Sequence, residues 1–298
     1  MRKPDFFIVG APKCGTTAMN DYLKQHPEIF VSKKKELHFF GTDLYSPKFI
    51  RDKEKYLSFF SAAKNEKRIG EASIWYLYSI IAASEIKEFS PFASIIIMLR
   101  NPVDMLYAQH SQFLYNGNED IVDFETALKA EEHRKLGLRI PPNVHFIESL
   151  FYKKTAKYTE QVQRYLNVFG WENVHIIIYD DFKNDIAGIY RETLRFLGVE
   201  ENFQPDFRVI NPNKRIRSKT LQKFLLNPSH ITQHFGEVLI SRLLYQKLLD
   251  KLKVLNIKYE PRLPMDPELR RRLLEEFVPE IERLSKLLGR DLTGWSKI

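Results

Sequence analysis

Asp5-Phe6-Phe7-Ile8-Val9-Gly10-Ala11-Pro12-Lys13-Cys14-Gly15-Thr16-Thr17 carries an apolar run straight into a glycine-bounded loop and then into residues suited to opening a helix. Such a strand, loop and helix predict an α/β fold with a cradle for a phosphate. The N–H groups of the turn and of the first helical turn lack partners, and the helix dipole adds positive charge to them. Gly15 allows close backbone approach, Thr16 and Thr17 add hydroxyl donors, and Lys13 supplies a point charge. The spacing Gly10-x4-Gly15 is that of a P-loop, yet Thr16 stands where a lysine should follow the second glycine. P-loop nucleotide hydrolases place that lysine directly before the Ser or Thr that holds magnesium, so metal-assisted phosphoryl transfer is disfavoured. Taken alone, the loop also fits an ordinary strand-to-helix turn.

Outward from the loop, apolar strands alternate with amphipathic helices, the pattern of a central parallel sheet flanked by helices. Strands are expected from Phe6 to Val9, Ser94 to Leu99 and Val174 to Tyr179. Helices are expected from Thr17 to Gln25, Tyr78 to Phe89, Val103 to Tyr115, Phe124 to Arg134, Ser149 to Phe169 and Ile186 to Leu197. Beyond Ser218 the chain reads as mostly helical and charged, with breaks at Pro228, Pro261, Pro264 and Pro267. With 298 residues, 44% of them apolar, the chain can bury a full core. A single domain is expected over 1–298, with a nucleotide-binding core at about 4–213 and a helical extension at about 218–298.

The formal charge of +8 suits an acidic ligand. A nucleic-acid partner is not expected, because no recognition motif and no basic stripe with stacking aromatics is found. Cys14 is the sole cysteine, so no disulfide forms within the chain. No apolar segment reaches signal-peptide or membrane-spanning length, and a cytoplasmic protein is the simplest expectation.

Leu99-Arg100-Asn101-Pro102-Val103-Asp104 places Arg100 at a carboxyl end of the sheet, where an arginine can fork onto a phosphate. A helix-start arginine paired with Asp104 is the alternative. In Lys33-Lys34-Lys35-Glu36-Leu37-His38-Phe39-Phe40, Glu36 and His38 share one face of an extended chain, and the lysines can hold Glu36 ionised. That makes Glu36 a candidate general base; a solvated charge run before an apolar anchor is the alternative. Ile69-Gly70-Glu71-Ala72-Ser73-Ile74-Trp75-Tyr76 reads as a buried strand end whose aromatics line a pocket or sit in the core. Arg270-Arg271-Arg272 reads as the exposed face of a helix.

In this order the segments resemble the sulfotransferase family, closest in motifs to its heparan sulfate and carbohydrate branch and their bacterial relatives. The likeness runs from about Pro4 to about Asn213. It rests on Pro12-Lys13-x-Gly15-Thr16-Thr17, Lys35-Glu36-x-His38-Phe39-Phe40, Gly70-Glu71-x-Ser73 and Leu99-Arg100-Asn101-Pro102-Val103-Asp104. Phe124-Glu125-x-Ala127-Leu128 and Tyr179-Asp180-Asp181-Phe182 match later landmarks.

The resemblance implies a P-loop-like fold that binds 3′-phosphoadenosine 5′-phosphosulfate (PAPS) and passes its sulfuryl group to a hydroxyl or amine of a small-molecule or glycan acceptor, with no metal. It implies that Lys13, Cys14, Gly15, Thr16 and Thr17 grip the 5′-phosphosulfate and that Arg100 reads the 3′-phosphate. Glu36 falls at the position of the catalytic base, with Lys13 and His38 beside it in the chemistry. Related enzymes close over the nucleotide with a late basic loop, for which Arg215, within Asn211-Pro212-Asn213-Lys214-Arg215-Ile216-Arg217-Ser218-Lys219, is the candidate by position and charge; a solvated basic loop before a helix is the alternative. The chain departs from the pattern at Ala108, where a serine to the 3′-phosphate is usual, and Ser111 one helical turn later is the candidate substitute. Ile74 replaces a usual proline, and Ala72 a lysine found in some glycosaminoglycan enzymes. A P-loop kinase and a non-catalytic sulfotransferase-like binding protein are the alternative functions.

Overall fold

The computed structural model describes residues 2–208, 214–218, 221–222, 225 and 242–297. Its contacts divide the chain into two compact units. The first comprises Met1–Gln109, His145–Asn211 and Asp266–Ile298, and the second His110–Val144 and Pro212–Met265. The single domain expected over 1–298 is thus described as two units, and the C-terminal stretch is shared between them.

The first unit is built on five strands, β1 (Phe6–Gly10), β2 (Ile29–Val31), β3 (Arg68–Ala72), β4 (Ser94–Leu99) and β5 (Val174–Ile178). They form one parallel sheet in the order β2-β3-β1-β4-β5. Every residue of β1 and of β4 is buried, as expected for central parallel strands covered on both faces. Phe6 pairs with Gly70 on one side and Ser94 on the other, which fixes β1 at the centre.

Helices α1 (Thr16–Leu23), α2 (Lys53–Ser58), α3 (Ala82–Phe89), α4 (Pro102–Asn116), α5 (Phe124–Lys129) and α6 (Glu131–Lys135) follow in chain order. After them come α7 (Tyr152–Thr155), α8 (Tyr158–Phe169), α9 (Tyr179–Asn184), α10 (Ile186–Leu197), α11 (Arg242–Leu255) and α12 (Pro267–Leu288). Helix α8 buries Tyr158, Val162, Tyr165, Leu166 and Phe169, a stripe at helical spacing that packs on β4, β5 and α12. Helix α12 answers with Leu273, Leu274, Phe277, Ile281 and Leu284. In the second unit, β6 (Lys214–Ile216) pairs antiparallel with β7 (Ile257–Tyr259). No helix among the described residues is long and apolar enough to cross a membrane.

Three features differ from expectation for local reasons. The helix expected from Ser149 to Phe169 is broken into a 3-10 turn (Ile147–Leu150), α7 and α8, and that expected from Phe124 to Arg134 is broken at Ala130. Pro267, read as a break, opens α12: Asp266 accepts the Leu269 N–H at 2.8 Å, and proline costs nothing at a first helical position. Asn211-Pro212-Asn213, Lys219 and Pro228 lie outside the described residues.

Gly70 shows how tightly β1 and β3 meet. A Cβ there would lie 2.0 Å from Cζ of Phe6, whose ring is buried. Gly70→Ala is expected to destabilise the protein by about 1–3 kcal/mol, read as a lowered urea midpoint with an unchanged slope.

Candidate active site

Because all five strands are parallel, their carboxyl ends share one edge of the sheet. The loop 11–15 follows β1, Lys35 to His38 come after β2, Ser73 and Ile74 follow β3, Arg100 follows β4 and Tyr179 follows β5. The chain leaves β1 toward β3 and β2 on one side, and β4 and β5 lie on the other, which is the switch point where open α/β sheets bind ligands.

The loop after β1 is held in left-handed backbone at Lys13 (φ 59°) and Gly15 (φ 91°). A Cβ on Gly15 would approach the rings of Phe182 and Tyr179 to 3.2 Å, so only glycine brings the chain this close to α9. No side chain caps the N-terminus of α1, whose dipole faces the loop. Lys13 and Thr17 are half-buried and Thr16 is buried. The Cys14 side chain is fully buried with Sγ 3.2 Å from the Pro12 carbonyl oxygen, and burial pushes its thiol up to about 12. Any contact of Cys14 with an anion therefore falls to its backbone N–H.

Arg100 does not pair with Asp104. Arg270 of α12 takes that carboxylate at 2.7 Å, so Arg270 is no part of a merely exposed face. Among the described residues no carboxylate lies within ion-pair distance of Arg100. Its guanidinium sits 4.8 Å from the centroid of the Tyr179 ring and makes only a long contact, 3.5 Å, with the Lys13 carbonyl oxygen. A fork of donors next to the loop is thereby left with capacity for an anion. The Arg100 turn is fixed from below: the Asn101 side chain accepts the Val103 N–H at 2.9 Å and donates to the Trp295 carbonyl oxygen at 2.8 Å, while the Trp295 indole donates to Asp180 at 2.8 Å.

Glu36 and His38 do meet, although not through extended chain. Both have left-handed backbone (φ 59° and 50°), a conformation that non-glycine residues adopt only where their surroundings hold them. The Nε2 atom of His38 donates to the Glu36 carboxylate at 3.0 Å, the Ile74 N–H donates to it at 3.1 Å, and the Lys35 ammonium stands 3.6 Å away. Burial by itself would push the Glu36 carboxyl up. The His38 hydrogen bond, the Lys35 and His38 charges and the Ile74 N–H outweigh it and hold the carboxyl below its ordinary range. Of the three lysines only Lys35 reaches Glu36; the Lys34 ammonium lies over the Phe59 ring. Lys35 also donates to the Thr17 hydroxyl at 3.1 Å, so one chain of contacts joins the loop helix to the candidate base.

Sequence reading missed Glu71 and Arg51. Glu71 is 1% exposed and accepts the hydroxyls of Ser73 at 2.5 Å, Tyr56 at 2.9 Å and Tyr76 at 3.0 Å. Burial pushes its carboxyl up to about 7 against those donors, and the nearby charge of Glu36 adds to the rise. Its place in the Gly70-Glu71-x-Ser73 motif, without a role assigned to it, was the available signal. Ser111, on α4, and Arg215, on β6, fall in the second compact unit. Ala108 is buried in the first unit.

A sulfotransferase domain model matches residues 3–210. Among curated proteins, the chain is 32% identical over 299 residues to the membrane-associated sulfotransferase kil1 of Dictyostelium discoideum, covering 74% of this chain and 63% of that one. It is 25% identical over 294 residues to carbohydrate sulfotransferase 15 of Mus musculus, covering 74% of this chain and 51% of that one. The chain thus spans between half and two thirds of the length of these relatives. Among solved structures, a sulfotransferase from Alicyclobacillus acidocaldarius superposes with a TM-score of 0.75 at 30% identity, each chain being covered in full. With its parallel sheet, its glycine-bounded loop and a match over most of its length, the chain belongs to the sulfotransferase family.

Proposed function

We propose that the chain transfers a sulfuryl group from PAPS to a hydroxyl or amine of a carbohydrate acceptor, with Glu36 as general base. The observation that carries this reading is the Thr17–Lys35–Glu36–His38 chain, which puts an ionised carboxylate beside the loop suited to the phosphosulfate. Residues at the strand ends fit the nucleotide as well. Lys13 and the loop N–H groups are residue types and donors suited to an anion, Gly15 leaves room for close approach, and Arg100 offers donors for a second phosphate.

In the proposed step the acceptor oxygen or nitrogen forms a bond to sulfur as the bond from sulfur to the 5′-phosphate oxygen breaks. Glu36 takes the acceptor proton, and Lys13 with the loop N–H groups meets the charge that grows on the departing phosphate. A transferring sulfuryl group carries less charge than a terminal phosphoryl group, which suits one lysine and backbone donors. The carbohydrate acceptor is supported by the named activity of the mouse relative. A kinase reading lacks support because position 16, where its lysine would stand, is a threonine.

Calorimetry tests the nucleotide. 3′-Phosphoadenosine 5′-phosphate (PAP) is expected to bind at least about tenfold more tightly than ATP, a difference of ~1.4 kcal/mol. Equal affinities would sink the reading. Labelled PAPS offered with N-deacetylated heparan and with its N-acetylated form then separates amine from hydroxyl acceptors.

A further inference from the structure

The left-handed backbone at Glu36 and His38 raises the question of what holds it. Two sets of bonds converge on the segment from opposite sides. The His38 N–H donates to the Ser73 hydroxyl at 3.0 Å, and the N–H groups of Phe39 and Phe40 donate to the Tyr76 hydroxyl at 2.8 and 3.3 Å. Each hydroxyl then donates its own proton to Glu71. On the other side, one Arg51 guanidinium donates to the carbonyl oxygens of His38, Phe39, Phe40, Gly41 and Leu44 at 2.5–2.9 Å.

A hydroxyl that accepts an amide proton must find somewhere to place its own. Here one carboxyl group receives both relays, and the Tyr56 hydroxyl as well. Burying a carboxyl among apolar side chains costs stability that a hydrophobic residue of the same size would not, so packing alone does not account for Glu71. Ser73, Tyr76 and Arg51 bond the backbone between His38 and Leu44, directly after Glu36, and the Tyr56 hydroxyl bonds Glu71 itself.

We propose that Glu71, relayed by Ser73 and Tyr76, and Arg51 are positioning residues for sulfuryl transfer: together they lock the Glu36–His38 backbone in the conformation that aims the base. The inference rests on the proposed role of Glu36. Glutamine at position 71 keeps the volume but leaves one acceptor oxygen where two are used, and phenylalanine at position 76 removes a single hydroxyl.

The test combines backbone exchange with turnover in Glu71→Gln, Tyr76→Phe and Glu36→Gln. Hydrogen exchange followed by mass spectrometry on the PAP-bound protein should show protection of the 36–40 segment reduced by about tenfold or more in the first two variants, with protection of β1 and β4 unchanged. Turnover of labelled PAPS with the heparan pair should fall by about tenfold or more in kcat, with the PAP Kd within about twofold. Unchanged exchange of 36–40 in a folded Tyr76→Phe overturns the proposal, even if Glu71→Gln fails to fold. So does an equal loss of kcat and PAP affinity, which would mark a general structural role. Retained turnover in Glu36→Gln sinks the base assignment instead; an inactive Glu36→Gln beside a fully active Tyr76→Phe sinks only the positioning role.

Discussion

Glu36→Gln is expected to lower kcat by ~10²–10⁴-fold while leaving PAP affinity within about twofold. Glutamine preserves the size of the side chain and can still accept the His38 and Ile74 hydrogen bonds. What it loses is the capacity to take a proton. Nucleotide binding is spared because the loop, Lys13 and Arg100 belong to other strand ends. The wild-type pH profile provides a second reading of the same residue. Glu36 must be ionised to act, and its carboxyl is held below its ordinary value of 4.5. Activity is therefore lost only as pH falls through that depressed value, and the acid limb of kcat/KM assigned to Glu36 should lie below pH 4.5. Removing the Lys35 ammonium takes away one of the stabilising charges, so Lys35→Ala should move that limb upward. Full activity in Glu36→Gln would transfer the role of base to His38, the nearest alternative.

How far these features were legible depends on the range of the interactions that create them. Strands β1 and β4 are nearly continuous apolar runs, and burial on both faces writes itself directly into composition; β5, at the edge, is apolar except for His175. Strand β2 has three residues at the edge of the sheet, too few for a periodic signal. Lys13, Glu36, His38 and Arg100 could be singled out because the proposed chemistry calls for those residue types. Their geometry was not. The Glu36–His38 pair was expected on extended chain and occurs on left-handed backbone, held by Ser73, Tyr76 and Arg51 from other segments. The partner of Asp104 is Arg270, 166 residues away, and no local pattern announces such a pair. Arg51 sits in a stretch with no motif, and its five backbone bonds exist only once the 38–44 segment has folded around it. Ser111 was chosen by helical spacing from Ala108, one in the second compact unit and the other in the first.

Lys13→Ala is expected to reduce kcat/KM by ~10²–10³-fold, the loss typical of removing one preorganised donor from a developing oxyanion. The side chain is half-buried at the surface of the loop, so the thermal midpoint should move little. Arg100→Ala should behave differently, and the contrast is informative. If Arg100 reads the 3′-phosphate, its removal weakens PAP binding toward that of AMP, which lacks the group, and leaves AMP affinity unchanged. Lys13 serves the bond that breaks, so Lys13→Ala should weaken PAP and AMP alike, both of which carry the 5′-phosphate, and should depress kcat as well. Equal selectivity losses in both variants would mean that the two cations share one anion, and the assignment of separate phosphates would have to be abandoned. The position of Lys13 within the loop, three residues before the place a phosphoryl-transfer lysine would take, is then tested by the same pair. A lysine that gripped a terminal phosphate would matter most for ATP, whereas one that meets charge on the 5′-phosphate should show its main effect in PAPS turnover and weaken ATP, through its own 5′-phosphate, no more than it weakens AMP.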